Sequence, residues 1–521
     1  DIFAAFSKGE DMRINIKITA AALALTTLFA AGCKKDKIKT GKVMPEETPY
    51  AYTVSQLGDD VMPIMSYIAP MGEVTVDGQT YPSSITDEVY SKLKELGINL
   101  MDGVGFYGNE DWTRANLEMC NKYSMAALIS SGTWYSSFRS RFYADGKITP
   151  FTEMTEAQRK SIENALFAGF EKYADYDCFA GINYTDELGI AAAQSLKEAN
   201  DLFLAKYPDK LMLNNCVGGG AVAPTMQYNG FTDEFAEKAG LKETEIAKKI
   251  QNGWGWDSYI ESFIDTVRPQ VFSYDDYPWR MGMQKITPKF LQELEYAAKF
   301  SSQYKSAFWN FIQTGKWIAD ENGDKCRLPS YSEMSYQINA SLAFGAQGIE
   351  CFLISTVGDS GSYSSDTLNG RAKFVFDLEG NTTELYEPLK KVFDNVKSVD
   401  DVLMKSVWKG VMETESLDVK MNAIQTVSEG YALKKFNQVS AITSDSTYAI
   451  AGCFNYGGHT ALYVLNANTD KTLSENADVT IKFNQKVKGY GIFGGKRSTF
   501  TGNSFTIKSM APGEAALIVI N

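Results

Sequence analysis

The chain is nearly devoid of histidine. His459 is the single one among 521 residues, and it lies near the C-terminus. A Ser-His-Asp triad or a histidine-rich metal centre in the body of the chain is thereby excluded. Positive charge is also short, with 51 Lys and Arg against 64 Asp and Glu, a net charge of −13. Such a chain repels phosphate backbones, so nucleic acid is not expected as a partner. No GxGxxG follows the first apolar run, and Gly218-Gly219-Gly220 leads into no P-loop lysine; the triple glycine reads as a loop. The seven cysteines show no CxxC spacing. Cys178, Cys216, Cys351 and Cys453 lie in or beside apolar runs and read as small buried hydrophobes, not as a disulfide framework or metal site. What remains for chemistry is carboxylates, amides, hydroxyls and aromatics. No metal and no cofactor is expected.

Aromatics are plentiful at 13%, which suits either a well-filled core or large aromatic-lined surfaces. The N-terminal region carries a pattern of its own. Met12, Arg13 and Lys17 precede an apolar run over 18–31, which ends at Gly32-Cys33. A charged start, a short apolar stretch and small residues before a cut make a signal peptide over about 12–32, and the run is too short for a comfortable membrane span. Ala30-Ala31-Gly32-Cys33 resembles the lipobox of bacterial lipoproteins, which implies acylation of Cys33. Residues 1–11 precede the start methionine and are set aside. Lys34-Lys35-Asp36-Lys37 reads as a polar tether. The expected product is an exported lipoprotein, periplasmic or cell-surface, touching the membrane through its lipid anchor alone.

Residues 1–49 thus form the upstream segment, signal peptide and linker. Over 50–402, short apolar runs alternate with helical patterns. The runs are 61–68, 98–101, 125–130, 179–183, 211–214, 270–274, 307–312 and 349–354. Between them, helical patterns occupy for example 87–96, 156–173, 191–206, 256–266, 288–304 and 332–344. Eight strand–helix units in this length predict an α/β fold, a (β/α)8 TIM barrel. A doubly wound sheet is the alternative, but the glycine-rich turn it uses is missing. Over 403–521 the pattern changes to short alternating runs at 448–454, 461–466, 479–483, 490–493, 505–507 and 515–520, separated by turn residues. These predict a C-terminal antiparallel β-sandwich.

A TIM barrel carries its site at the C-terminal ends of the strands. The predicted ends bring Trp134 after strand three, Asn183 and Asp186-Glu187 at strand four, and Asn214-Asn215 at strand five. Strand six contributes Tyr274-Asp275-Asp276-Tyr277 with Trp279 beyond, and strand seven Gln313 with Trp317 beyond. Carboxylates, amides and aromatics on one rim are what a sugar site needs: acids for proton transfer, amides for hydroxyls, rings for C–H faces. Catalytic candidates are Glu187 as general acid, with Asp186, Asp275 or Asp276 as its companion. Binding candidates are Asn183, Asn214, Tyr274, Tyr277, Trp279, Gln313, Trp134 and Trp317. Thr185 or Asp186 is equally placed to cap the helix that begins near Leu188, and Asp275 or Asp276 to serve the turn before Pro278.

Several segments resemble clan A glycoside hydrolases, TIM barrels with a glutamate acid/base ending strand four. They are Met62-Pro63-Ile64, Asp186-Glu187, Tyr274-Asp275-Asp276-Tyr277-Pro278, and the stretch from Gln337 to Phe344 followed by Gly345-Ala346-Gln347-Gly348-Ile349. The last is similar to a stretch in family 42-like β-galactosidases. The resemblance covers about 60–400 and implies an oligo- or polysaccharide substrate. It also departs from the pattern: the family places a nucleophilic glutamate at the end of strand seven, where this chain has Gln313. Glu321 lies in a polar loop, and Glu350 at the start of strand eight, too deep. Three readings stay open. The second carboxylate is Asp275 or Asp276; or Asp186 orients a 2-acetamido group, as in the similar Asp-Glu pair of hexosaminidase families 20 and 123; or the chain binds glycans without cleaving them.

Overall fold

A computed structural model describes residues 47–521, apart from 77, 131–142, 145–146, 149–153, 188–192, 220–254, 284–285, 319–324, 358–371 and 474. The signal peptide, Cys33, Trp134 and Glu321 lie outside the described residues.

Eight parallel strands close into a barrel. They are β1 (Ile64–Ser66), β2 (Leu100–Val104), β3 (Ala126–Ser130), β4 (Phe179–Asp186), β5 (Leu211–Val217), β6 (Val271–Asp275), β7 (Ala307–Gln313) and β8 (Gly348–Phe352). Each pairs with its sequence neighbours, and β8 closes on β1. One longer helix follows each strand: α1 (Asp87–Leu96), α2 (Glu110–Lys122), α3 (Glu156–Ala168), α4 (Ala193–Lys206), α5 (Trp256–Val267), α6 (Phe290–Tyr304), α7 (Tyr331–Ala343) and α8 (Tyr386–Lys397). This is the expected (β/α)8 barrel. All eight apolar runs are its strands, though β4 and β5 each extend three residues past the predicted ends. Among the described residues no helix is long and apolar enough to cross a membrane.

Alternation sorts the side chains between two apolar layers. Met65, Leu100, Leu128, Leu211, Leu213, Val271, Ala307 and Trp309 fill the barrel interior. Their neighbours Met101, Ile129, Met212, Phe272, Phe308 and Ile349 face the helices. The strand β4 breaks the rule. Gly181 has φ +145, and a Cβ there would stand 1.9 Å from the Leu211 carbonyl oxygen, so a glycine is required where β5 crosses close by. A second irregularity falls between Asn183 and Thr185. Bulges re-aim side chains, and this one turns the end of β4 inward.

The C-terminal part is antiparallel: β9 (Ser406–Glu413), β10 (Val439–Thr443), β11 (Ala449–Tyr456), β12 (His459–Asn466), β13 (Ala477–Phe493), β14 (Lys496–Met510) and β15 (Ala515–Ile520). The order is β9-β11-β12-β15-β13-β10, with β14 on β13. The sheet folds over its own apolar core, which includes Met412, Ile442, Ala451, Leu462, Ile481 and Ile518. This is the predicted sandwich, with two predicted runs fused into β13 and two strands, β9 and β10, that the sequence pattern did not reveal. Its outer face packs on α7. There the Trp408 indole donates to the Ala343 carbonyl at 3.0 Å, and the Tyr463 hydroxyl donates to Asn339 at 2.7 Å.

Candidate active site

The barrel interior is apolar at its lower end and polar towards the strand ends. On β2, Asp102 is fully buried and accepts from Asn183 at 2.6 Å and Ser130 at 2.9 Å. Burial pushes its pKa up to about 6, although these bonds and the Gly103 amide oppose the shift. On β8, Glu350 is fully buried and contacts the Ser273 hydroxyl of β6 at 2.6 Å. Burial again pushes this carboxyl well above the usual range. The sequence reading of Glu350 as too deep agrees with this placement.

Above that layer a cavity of about 280 Å³ opens at the strand ends. One wall comes from β4, β5 and β6 and the segment after β6: Asp186, Glu187, Asn215, Asp275, Asp276 and Arg280. The facing wall comes from β1, β7 and β8, the segments beside them and the segment after β6: Tyr67, Phe311, Phe352, Trp317 and Tyr277. These rings lock together. Tyr277 meets Trp317 edge-on at 4.9 Å and Phe352 at 5.0 Å, while Tyr67 stacks on Phe352 at 5.8 Å.

Asn215 organises the acidic wall. Its register partners are Asp186 on one side and Ser273 on the other. Its amide nitrogen donates to Asp186 Oδ1 at 3.0 Å and to Asp275 Oδ1 at 3.2 Å. Those two oxygens are thus separated by no more than the sum of the two bonds, less than the roughly 6.5 Å at which inverting carboxylate pairs begin. Glu187 follows in the left-handed region at φ +48, with its backbone N–H donating to the Asn215 carbonyl at 2.9 Å. A non-glycine residue held there marks a spot the surroundings over-determine.

The electrostatics follow from crowding. Burial pushes Asp275 well above the usual carboxylate range, and the negative charges of Glu187 and then Asp186 push it further. Asp186 is exposed to the cavity yet ringed by protein atoms, and this desolvation raises its pKa, against the Asn215 bond. Behind Asp276, the buried Glu293 of α6 is also pushed up, by burial and by the Asp276 charge. The site therefore holds protons at pH values where free carboxylates have lost them, as acid catalysis requires. Among the described residues no group of three or more His, Cys, Asp and Glu is arranged to hold a metal ion.

Of the sequence candidates, Asp186, Glu187, Asp275, Asp276, Tyr277 and Trp317 meet on this cavity. Others do not. Asn183 lies below, on Asp102. Asn214 is buried against Thr185, since alternation turns it away from the barrel axis and turns Asn215 towards it. Tyr274 is fully buried, stacked on Phe308 in the layer between strands and helices. Trp279 is fully buried against Tyr336 and under Arg327, and so offers no face to a ligand. Gln313 is corrected from a binding to a bracing role. It is fully buried, accepts from the Trp279 amide at 3.0 Å and donates to the Arg327 carbonyl at 2.7 Å. Missed were Asn215, Arg280, Tyr67, Phe311 and Phe352. Phe311 and Phe352 were within reach of strict alternation along β7 and β8; Arg280, in an irregular segment, had no signal.

No family model matches the sequence, and no curated protein matches it. Similar solved structures exist at low identity. A β-galactosidase from Bacillus circulans sp. alkalophilus aligns over 88% of this chain and 99% of its own, with 9% identity and a TM-score of 0.48. A family 42 β-galactosidase from G. stearothermophilus aligns over 91% and 99%, with 9% identity and a TM-score of 0.45. For a β-galactosidase from the psychrophilic Marinomonas ef1 the values are 62% of this chain, 60% of that one, 11% and 0.41. At such values no residue role transfers, and the site stands on its own geometry.

Proposed function

We propose that the chain hydrolyses glycosidic bonds, with Glu187 as the general acid/base. The observation that carries this reading is the convergence of Asp186, Glu187 and Asp275 on one cavity with an aromatic facing wall. Of the charges that raise Asp275, that of Glu187 is the largest, so the two act as a pair across the rim. Two carboxyls that oppose each other's charge titrate as a pair, and Asp275 holds its proton to higher pH than a free carboxylate does. Glu187 passes the proton to the departing glycosidic oxygen as the C–O bond breaks, Asp275 is the second carboxylate, and water supplies the hydroxyl that the sugar carbon gains and the proton that returns to the pair. Asp186, tied to Asn215, orients the group next to the reacting carbon. The aromatic wall receives the C–H face of the sugar.

The test is a panel of aryl glycosides, with and without a 2-acetamido group. Hydrolysis by the wild type and its loss in Glu187→Gln, with binding retained, supports the reading. Hydrolysis confined to 2-acetamido substrates and lost in Asp186→Asn assigns the second role to Asp186 acting through the substrate. Binding with no hydrolysis anywhere in the panel makes the chain a glycan-binding protein. We further propose export and anchoring through Cys33, on the strength of the lipobox-like Ala30-Ala31-Gly32-Cys33. Labelled palmitate incorporated by the wild type and not by Cys33→Ala is the expected result; equal labelling contradicts it.

A further inference from the structure

Beneath the cavity a chain of contacts begins at Glu350 and Ser273, which the proposed reaction does not itself use. Glu350 Oε1 stands 2.6 Å from Ser273 Oγ, and Ser273 Oγ stands 3.1 Å from Asn215 Oδ1. On its far side the Asn215 amide nitrogen meets Asp186 and Asp275 at 3.0 and 3.2 Å. Proton counting ties the directions of these contacts together. An amide oxygen only accepts, so the single Ser273 proton must go to Asn215 for that contact to be a hydrogen bond. Ser273 then has no proton left for Glu350, and the 2.6 Å contact requires one from the Glu350 side. With the amide oxygen turned to Ser273, Glu350 is therefore the neutral acid; an ionised Glu350 would instead take the Ser273 proton, and the amide would turn its nitrogen to Ser273. Its other oxygen, Oε2, is buried with no partner, a state tolerable for a carbonyl oxygen and costly for a charged one. Asp102 of β2 and Asp186 of β4 face it with negative charge and oppose its ionisation.

We infer that neutral Glu350 is a positioning residue: through Ser273 it fixes which way the Asn215 amide points, and so sets the proton affinity of Asp186 and Asp275. An asparagine amide has two nearly isosteric orientations. With nitrogen towards the acids, it lowers the pKa of both. With oxygen towards them it favours their protonated forms. The other titratable and charged groups facing the pair are Glu187, Asp276 and Arg280 around the cavity, Tyr277, whose hydroxyl bonds to Asp275, and Glu293 behind them. On the far side of the amide stands the Ser273 hydroxyl, which links its orientation to Glu350. The inference rests on the glycosidase reading for its consequence in catalysis, but not for its physical content.

The experiment is a difference infrared titration of carboxyl bands in the intact protein. Bands are assigned by their loss in Asp186→Asn and Asp275→Asn, and no substrate is needed. In Glu350→Leu the assigned bands are expected to titrate about one pH unit higher than in the wild type. Glu350→Gln restores the wild-type titration, because its NH2 donates to Ser273 as the neutral acid does. Ser273→Ala breaks the same relay at its next link. It gives the Glu350→Leu shift, and decides the matter should circular dichroism show Glu350→Leu unfolded. A Glu350→Gln titration matching that of Glu350→Leu, or no shift in Ser273→Ala, overturns the relay. The acid limb of kcat/KM on a cleaved glycoside moves with the bands. If no glycoside is cleaved, the catalytic reading falls while the infrared result still stands or fails by itself.

Discussion

The two walls of the cavity differ in what they do for the fold. The aromatic wall of Tyr67, Phe311, Phe352, Trp317 and Tyr277 interlocks by edge and face contacts, and Trp317 is almost wholly buried. Such burial is favourable. The acidic wall gathers Asp186, Glu187, Asp275 and Asp276; burial pushes Asp186 and Asp275 towards their neutral forms, and the charges of Glu187 and Asp186 push Asp275 further. A carboxylate with a raised native pKa lowers stability once pH exceeds its unfolded value. One wall thus contributes stability and the other gives some up, a common signature of a site built for chemistry. Substitutions should separate the two walls cleanly.

The largest effect is expected on the acidic wall. Glu187→Gln and Asp275→Asn each lower kcat by about a hundred- to ten-thousand-fold, while Tm above pH 7 is unchanged or, for Asp275→Asn, higher. Steady-state rates with thermal melts check this, and a large fall in Tm would erase the contrast between the walls. Next is the aromatic wall, where Trp317→Ala removes a buried ring. It is expected to cost about 3–5 kcal/mol of stability, read by denaturant unfolding. A loss of activity with stability intact would mean the ring serves only the ligand.

Smaller is the effect of the buried layer below. Asp102 is raised from 3.8 to about 6. A raised carboxyl favours the fold below its unfolded pKa, and that benefit is lost as pH climbs through the native value. The wild type should therefore lose stability between about pH 4 and 6, by at most about 3 kcal/mol from this group. Asp102→Asn flattens that stretch of the stability–pH curve, and an unaltered slope would contradict the assignment. Smallest is Asn215→Ala. It removes the bond shared by Asp186 and Asp275 and is expected to lower kcat/KM by about ten- to a hundredfold, with the acid limb displaced to higher pH.

Much of this was legible in the sequence, and the limits have physical causes. Eight apolar runs of the right length and spacing suffice to specify the barrel, because each strand needs one face for the interior and one for the helices. The pair Asp186-Glu187 and Asp275-Asp276 stood out as carboxylates at strand ends, and the barrel brings strand ends together. The choice of Asn214 over Asn215 failed on parity. The predicted end of strand five fell three residues short of Val217, and only the alternation from Leu211 and Leu213 shows which asparagine faces inward. On β4 alternation itself fails. Ala180, Asn183 and Asp186 face the interior at intervals of three, because two bulges interrupt the strand. Trp279 and Gln313 were misjudged for another reason. Gln313 ends β7 and Trp279 lies just past β6, but the chain folds back over them, and Arg327 covers both. A long-range contact of that kind leaves no local trace.

A Glu187 carboxyl that moves the proton in glycoside cleavage leaves its mark on the pH profile. The most direct measurement is the pH dependence of hydrolysis of an aryl glycoside that needs leaving-group assistance, in wild type and Glu187→Gln. Expected are a bell-shaped kcat/KM profile in the wild type, loss of its alkaline limb in Glu187→Gln, and partial recovery on aryl groups so activated that they leave without a proton. Equal rates and identical profiles in the two proteins would contradict that role of Glu187.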